Sequence, residues 1–204
     1  MMRPNFDTMR LRRWALLGSL VLLVFVGACS KPKRWALDDI SGLGPALKFN
    51  LTNDSGQAVD ASAYRGKVVL LYFGYTHCPD VCPATLAKLG EAIHDLGADA
   101  AEVRVLFVTV DPARDTTAVL HRYVHAFGPE FVGLRGSDDA LEKLAKRYRV
   151  VYTHGKPNVR GNYEVSHSSA VFIFDRHGRA RLIATNSDSV GAIGHDLRLL
   201  LGVG

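Results

Sequence analysis

The hydrophobic pattern of the chain alternates between apolar runs and amphipathic stretches, which predicts strands followed by helices. Residues 68–73 are continuously apolar and rich in β-branched and aromatic side chains, so they predict a strand buried on both faces. Residues 103–110 predict a second buried strand, and residues 117–127 a helix after it. Apolar residues with helical spacing follow the first strand, at Leu86, Leu89, Ile93 and Leu96. The middle of the chain is therefore expected to contain two βα units.

Shorter elements are predicted on either side of these units. Residues 47–51 alternate between apolar and polar side chains, and a turn at 53–56 precedes further alternation at 58–59, which predicts an N-terminal hairpin. Ser137 is the expected N-cap of a helix that extends through Tyr148. The other elements are a strand at 131–134, the arms of a polar β excursion at 150–152 and 162–165, a hairpin at 170–174 and 181–185, and a helix at 189–201. This order predicts an α/β fold of thioredoxin-like type, with a mixed sheet flanked by helices.

The N-terminus predicts a targeting segment. Three arginines precede an apolar stretch at 14–28, which as a helix would span about 22 Å, less than the bilayer core of about 30 Å. This favours a secretory signal over a permanent membrane span. The stretch ends in Val-Gly-Ala-Cys, which resembles a bacterial lipobox, so residues 1–29 are interpreted as a lipoprotein anchor with Cys29 lipidated. An uncleaved anchor, with Cys29 an ordinary cysteine, is the alternative.

Both alternatives place the remainder of the chain outside the cytoplasm, tethered to the membrane of a bacterial cell on its periplasmic or outer side. Residues 30–45 combine mixed charge, Pro and Gly without periodicity and are predicted to be a linker, with the folded domain at 46–204. The 204 residues are 48% hydrophobic and 22% charged, which is typical of one globular domain. Net charge is +5, but a surplus of three lies in the first 28 residues, so nucleic acid is not an expected partner.

Cys78 and Cys82 are the main chemical signal in the chain. They lie directly after the first buried strand, at the predicted start of a helix whose first turn accommodates Pro83. A helix N-terminus is expected to lower the pKa of such cysteines, and their spacing places both sulfurs on one face. A structural disulfide is the alternative, but so short a ring removes little entropy from the unfolded chain. We therefore favour a functional pair.

The C-x3-C spacing is wider than the C-x2-C of thioredoxin-type oxidoreductases, so it permits a disulfide but also leaves room for a bound ion. His167 follows the β excursion in a loop that, in a thioredoxin-like sheet, packs beside the N-terminus of the cysteine helix. Two thiolates and one imidazole suit copper, as Cu(I) or Cu(II), whereas a structural zinc site would need a fourth ligand. The other histidines are less well placed: His77, His94, His121, His125, His154, His177 and His195.

Three motifs strongly resemble the Sco/SenC family: residues 69–83, the Val-Asp-Pro-Ala-Arg-Asp-Thr segment at 110–116, and His167 followed by Ser. The resemblance covers roughly residues 45–200. It implies a membrane-tethered domain that binds one copper through Cys78, Cys82 and His167. It also implies a role in assembling cytochrome c oxidase, either by delivering copper to the subunit that carries the binuclear copper site or by reducing the cysteines of that site. Another periplasmic copper chaperone is a further candidate partner.

The second motif adds a candidate beyond the three ligands. The resemblance places Asp111 near the copper, as a supporting or transient ligand, although a loop-bracing role fits this acid equally well. Arg114 and Asp115 are expected to brace the loop. Family members often carry an acidic residue immediately before the histidine, whereas this chain has Ser166, so an acidic partner for His167 is not expected there.

Two classes of function fit these residues. The first is a copper chaperone, which binds and transfers metal without catalytic turnover. The second is a thiol–disulfide oxidoreductase that keeps the oxidase cysteines reduced and uses Cys78 and Cys82 as its redox pair. A peroxide-reducing enzyme fits the fold but not the motif, because it requires one dominant nucleophile. His167 discriminates between the first two, since dithiol exchange does not require an imidazole at that position.

Overall fold

The computed structural model describes residues 35–159 and 162–203, so the predicted anchor at 1–29, including Cys29, lies outside the described residues. The strands in the described ranges are β1 (Asp38–Asp39), β2 (Asn50–Asn53), β3 (Ala58–Asp60), β4 (Val68–Gly74), β5 (Val103–Thr109), β6 (Phe131–Arg135), β7 (Tyr152–His154), β8 (Val165–His167), β9 (Val171–Phe174) and β10 (Ala180–Ala184). The α-helices there are α1 (Val81–His94), α2 (Thr117–His125), α3 (Asp138–Arg147) and α4 (Val190–Leu201). None of the helices described is long and apolar enough to cross a membrane.

A mixed sheet forms the centre of the described domain, with strands in the order β1-β10-β9-β4-β5-β6-β2-β3, while β7 and β8 pair separately. β4, β5 and β6 are parallel, whereas β9 is antiparallel to β4 and β2 is antiparallel to β6. α1 connects β4 to β5 and α2 connects β5 to β6, the type of crossover that parallel neighbours require. The predicted α/β class, with two βα units and a mixed sheet, is confirmed.

Alternation of side chains along the central strands separates two hydrophobic layers. Tyr72 of β4 and Phe107 of β5 pack on the face covered by α1, α2 and α4. Phe73, the residue after Tyr72, and Leu106, the residue before Phe107, pack on the opposite face of the sheet against α3. Because both faces of β4 are covered, all of its residues are buried, as the continuous apolar run predicts. The loop that leads into α1 therefore starts from a fully buried strand.

The predicted β excursion forms as β7 and β8, but its first strand begins two residues later than predicted and its second strand three residues later. The reason lies at Val150, which is buried in the core, and at Arg149, whose φ of 55° turns the chain. Strand pairing therefore begins only beyond these residues. His167 consequently ends a strand opposite Tyr152 rather than lying in a loop.

The linker prediction for residues 30–45 is wrong where the structure describes that segment, at residues 35–45. β1 pairs with β10, and Leu37 is buried in the core layer that contains α4. The backbone N–H groups of Ala36 and Leu37 donate to the carboxylate of buried Asp196, at 3.0 and 2.9 Å. These contacts join residues far apart in the sequence, so the absence of local periodicity could not reveal them.

Candidate metal centre

The candidate centre begins where β4 ends and α1 starts. Gly74, the last residue of β4, lies against the sulfur of Cys82, because a Cβ placed on it would be only 2.8 Å from that sulfur and 2.7 Å from the Phe107 ring. Cys82 is the second residue of α1 and is completely buried. A glycine at the end of the strand is therefore needed for the helix to bring this cysteine so close to the sheet.

Cys78 lies in the loop before α1 and is half-buried. Its sulfur accepts a hydrogen bond of 3.4 Å from the backbone N–H of Cys82, whereas the N-cap residue Asp80 makes no side-chain capping bond. The Cys78 sulfur therefore satisfies one of the free N–H groups at the helix start. Cys78 and Cys82 are both free thiols, and their sulfurs lie within 4.8 Å of each other.

His167 completes a group of three donors with the two cysteines, hereafter the sulfur cluster (Cys78, Cys82 and His167). Its Nε2 lies 3.2 Å from the Cys82 sulfur, and the three donor atoms all lie within 4.8 Å of one another. Its Nδ1 lies 3.0 Å from the carbonyl oxygen of Ser168. A carbonyl can only accept, so Nδ1 carries the proton and Nε2 presents its lone pair to the sulfurs. The backbone thus supplies the orienting partner that Ser166 does not.

Two tyrosines hold the imidazole in place. The rings of Tyr72 and Tyr75 contact His167 edge-on, with centroids 6.1 and 5.9 Å away. The Tyr75 hydroxyl accepts a hydrogen bond of 3.4 Å from the backbone N–H of Val165, which ties β8 to the loop before α1. The Tyr72 hydroxyl donates to the Cys82 sulfur at 3.6 Å. His167 is therefore oriented from three sides before any metal binds.

The cysteine pKa differs from the expectation at Cys82. Burial raises the pKa of this thiol to about 12, although it lies at a helix N-terminus. The predicted lowering of the pKa is wrong for Cys82. Removing its thiolate from water outweighs the hydrogen bonds from the Tyr75 backbone and the Tyr72 hydroxyl, and neighbouring Cys78 raises the pKa further. Cys82 is accordingly a thiol at neutral pH in the absence of a metal.

Asp111 is buried but does not belong to the sulfur cluster. One of its carboxylate oxygens pairs with Arg114, and the other accepts a hydrogen bond of 2.6 Å from the Tyr163 hydroxyl. The Arg114 guanidinium stacks on the Tyr163 ring at 3.7 Å and lies 5.7 Å from the Tyr75 ring. Asp111 thus holds Arg114, which also lies beside the Tyr75 ring that contacts His167, and these contacts are those of a loop brace.

The chemistry of the sulfur cluster fits a soft metal ion. Two sulfurs and one neutral imidazole nitrogen are the donors that Cu(I) accepts in low coordination numbers. The SCO1/SenC family model matches residues 44–202, three quarters or more of the chain. The chain belongs to the SCO1/SenC family. It is 40% identical over 151 residues to the mitochondrial SCO2 homologue of Bos taurus, covering 70% of this chain and 57% of that protein.

Solved structures share this SCO1/SenC fold. The crystal structure of Arabidopsis thaliana ScoI with copper bound is 32% identical, with a TM-score of 0.71 over 77% of this chain and 98% of the other. BsSco is described as a member of the Sco family of cytochrome c oxidase assembly proteins with a disulfide switch. At 22% identity and a TM-score of 0.62 over 79% of this chain and 96% of the other, it shows the thioredoxin-like fold alone. The chain spans only 56–57% of the length of the first curated relatives.

Asp115 is a further supporting residue of this SCO1/SenC domain. Asp115 is completely buried, and its carboxylate accepts hydrogen bonds from the Thr76 N–H at 3.0 Å, the Thr76 hydroxyl at 2.6 Å and the Thr109 hydroxyl at 2.6 Å. It therefore fixes the loop that carries Cys78 to the end of β5. The expectation of a brace is confirmed for Asp115, and the Asp-Pro-x-Arg-Asp-Thr motif supplies both of the acids that hold the site.

Proposed function

We propose that this chain is a membrane-tethered copper chaperone that holds one copper ion on Cys78, Cys82 and His167 and helps assemble the binuclear copper site of cytochrome c oxidase. The observation that carries the proposal is the sulfur cluster itself. The Nε2 of His167 lies 3.2 Å from the Cys82 sulfur, and a carbonyl holds the other ring nitrogen so that Nε2 faces the thiols. Dithiol exchange alone would not require this arrangement.

The cluster suits a cargo ion because it offers two soft sulfur donors and one imidazole, and leaves one side accessible. Cys82 is completely buried, whereas Cys78 and His167 are half-buried, so the ion would be held at the surface end of the site. A cysteine of an acceptor protein could then approach and replace one ligand at a time. Cys82, beneath the others, would be the last to release the ion.

Family membership and the resemblance in its motifs support the oxidase role, with the copper-bearing oxidase subunit as recipient and another periplasmic copper chaperone as candidate donor. The tether belongs to residues 1–29, with lipidated Cys29 as the new N-terminus on the periplasmic or outer face. Mass spectrometry of the membrane-extracted protein tests the tether. A mature chain starting at modified Cys29 is expected. An intact Met1 on most molecules would show instead that the anchor is not cleaved.

Copper titration of the chain under reducing conditions tests the metal assignment. We expect one Cu(I) per chain, and an intense thiolate charge-transfer band when Cu(II) occupies the same site. Binding of two Cu(I) ions, or binding without any shift of the His167 ring resonances, would refute this ligand set.

A thiol–disulfide reductase is the second candidate, and the free thiols favour it. The half-buried Cys78 could attack a disulfide of the oxidase site, and Cys82 could resolve the mixed disulfide. Two electrons would pass to the target, which leaves a Cys78–Cys82 disulfide here and a dithiol there. The two functions are compatible, but only the chaperone needs His167.

A further inference from the structure

A second group of closely spaced histidine and carboxylate side chains lies on elements that contribute nothing to the sulfur cluster. Asp54 follows β2 in the turn before β3, while His121 and His125 are one turn apart on α2. Gly133 of β6 lies beneath this point: a Cβ there would be 2.9 Å from the Cβ of Leu120 and 3.3 Å from that of Asp54. The absence of a side chain at Gly133 therefore lets the turn and the helix approach each other.

The donor atoms of these three residues converge. One carboxylate oxygen of Asp54, Oδ2, lies 3.2 Å from Nδ1 of His121 and 3.2 Å from Nε2 of His125. The two imidazole rings have centroids 4.2 Å apart, and the three donor atoms all lie within 4.8 Å of one another. We name these residues the carboxylate cluster (Asp54, His121 and His125).

Burial within the carboxylate cluster is uneven in a way that suits a cation. The Asp54 side chain is only 4% exposed, whereas the side chains of His121 and His125 are 52% and 41% exposed. A buried carboxylate is costly unless a positive charge or several donors compensate it. A divalent ion seated between the three donors would supply that charge, and the open imidazole side leaves room for water as a further ligand.

We propose that Asp54, His121 and His125 bind one divalent metal ion of the Zn(II) and Cu(II) class. Two imidazoles and one carboxylate, with open positions, are typical ligands for such ions, whereas the absence of sulfur from the set disfavours Cu(I). The chain would then separate metals by softness, with Cu(I) at the sulfur cluster and a harder divalent ion at the carboxylate cluster. The bound ion would also link α2 to the β2–β3 hairpin.

Zn(II) titration of the full chain, first loaded with one equivalent of Cu(I), tests this proposal. Stoichiometry comes from calorimetry, and the location comes from the imidazole ¹H–¹⁵N resonances of the isotopically labelled protein. We expect one further Zn(II) per chain, with the largest shifts at His121 and His125 and little change at His167. Imidazole shifts identify the occupied site even if Cu(I) loading fails, so the outcome is independent of the proposed copper function.

Single substitutions give the matched comparison. His125→Ala and Asp54→Asn should each weaken Zn(II) binding at least about tenfold, since loss of even a hydrogen-bond partner of a metal ligand costs about 10- to 100-fold. His94→Ala is the control, because His94 is also on a helix beside a carboxylate, with its Nδ1 3.8 Å from Asp95, and its side chain is 90% exposed. The Zn(II) affinity of the His94→Ala variant should equal that of the unsubstituted protein.

Three results would overturn the proposal. The first is the absence of saturable Zn(II) binding with His121 and His125 unshifted, which would leave the carboxylate cluster as a contact between side chains and no metal site. The second is Zn(II) binding that shifts His167 instead, and the third is equal weakening by His94→Ala. Half-exposed His125 contributes little core packing, so His125→Ala remains informative even if the buried Asp54→Asn variant folds poorly.

Discussion

The sulfur cluster and the carboxylate cluster each bring three donor atoms within 4.8 Å, yet they are built in different ways. In the sulfur cluster two of the three donors are soft sulfurs, Cys82 is completely buried, and surrounding tyrosines and a carbonyl fix the imidazole. In the carboxylate cluster the donors are harder and the single acid is the buried member. The comparison teaches that donor softness and the orientation of each ligand decide which metal a site selects, more than the number of donors does.

Cys82→Ala gives the largest expected effect and tests whether the two clusters are independent. One thiol and one imidazole cannot complete a soft trigonal site, so tight Cu(I) binding should be lost, as measured by competition with a chromophoric Cu(I) chelator. Zn(II) binding at the carboxylate cluster should persist. Loss of Cu(I) binding and Zn(II) binding together would mean that the two clusters are coupled. Unchanged Cu(I) affinity would remove Cys82 from the ligand set.

Two acid-to-amide substitutions, one at each cluster, compare how much each acid contributes to the free energy of unfolding. Asp115→Asn replaces an acceptor of three hydrogen bonds with a group that brings its own N–H donors, so the free energy of unfolding should fall by about 2–3 kcal/mol. Asp54→Asn should cost about 1 kcal/mol or less in the metal-free protein, since both of its histidine partners are substantially exposed. Denaturant unfolding of the two variants measures the difference. Equal losses would contradict the structural roles assigned to these acids.

Proton release on metal binding distinguishes the clusters further. Burial raises the pKa of Cys82 to about 12, so this thiol carries its proton near neutral pH and releases it to solvent when the sulfur binds copper. Apparent Cu(I) affinity should therefore rise with pH across the neutral range, with at least one proton released per copper. Calorimetry in two buffers of different ionisation enthalpy counts the protons. Cu(I) binding with no proton release would contradict the protonated state of Cys82.

Local spacing explains how much of this could be predicted from the sequence. Cys78 and Cys82 were evident from their close spacing after an apolar run that predicts a buried strand, although Cys78 lies in the loop before α1 and not on a helical turn shared with Cys82. His167 required the additional assumption of a thioredoxin-like sheet, and its exact strand position was missed because Val150 is drawn into the core.

Only the two histidines of the carboxylate cluster could be picked out from the sequence. The spacing of His121 and His125 was evident, but Asp54 reaches them because β2 pairs with β6, a contact between segments about eighty residues apart. The burial of Leu37 and the pairing of β1 with β10 were missed for the same reason. Interactions between distant segments depend on the packed sheet, which no local pattern encodes.

His167→Ala tests the central claim most directly, with cytochrome c oxidase assembly measured in cells that carry this variant as their only copy and with copper limiting. The substitution removes a half-buried imidazole and no core side chain, so the fold and the Cys78–Cys82 dithiol–disulfide couple should survive, which thiol titration of the purified variant confirms. The account predicts sharply weakened Cu(I) binding and failure of oxidase assembly. Normal assembly under copper limitation would contradict the chaperone function and leave the reductase in its place.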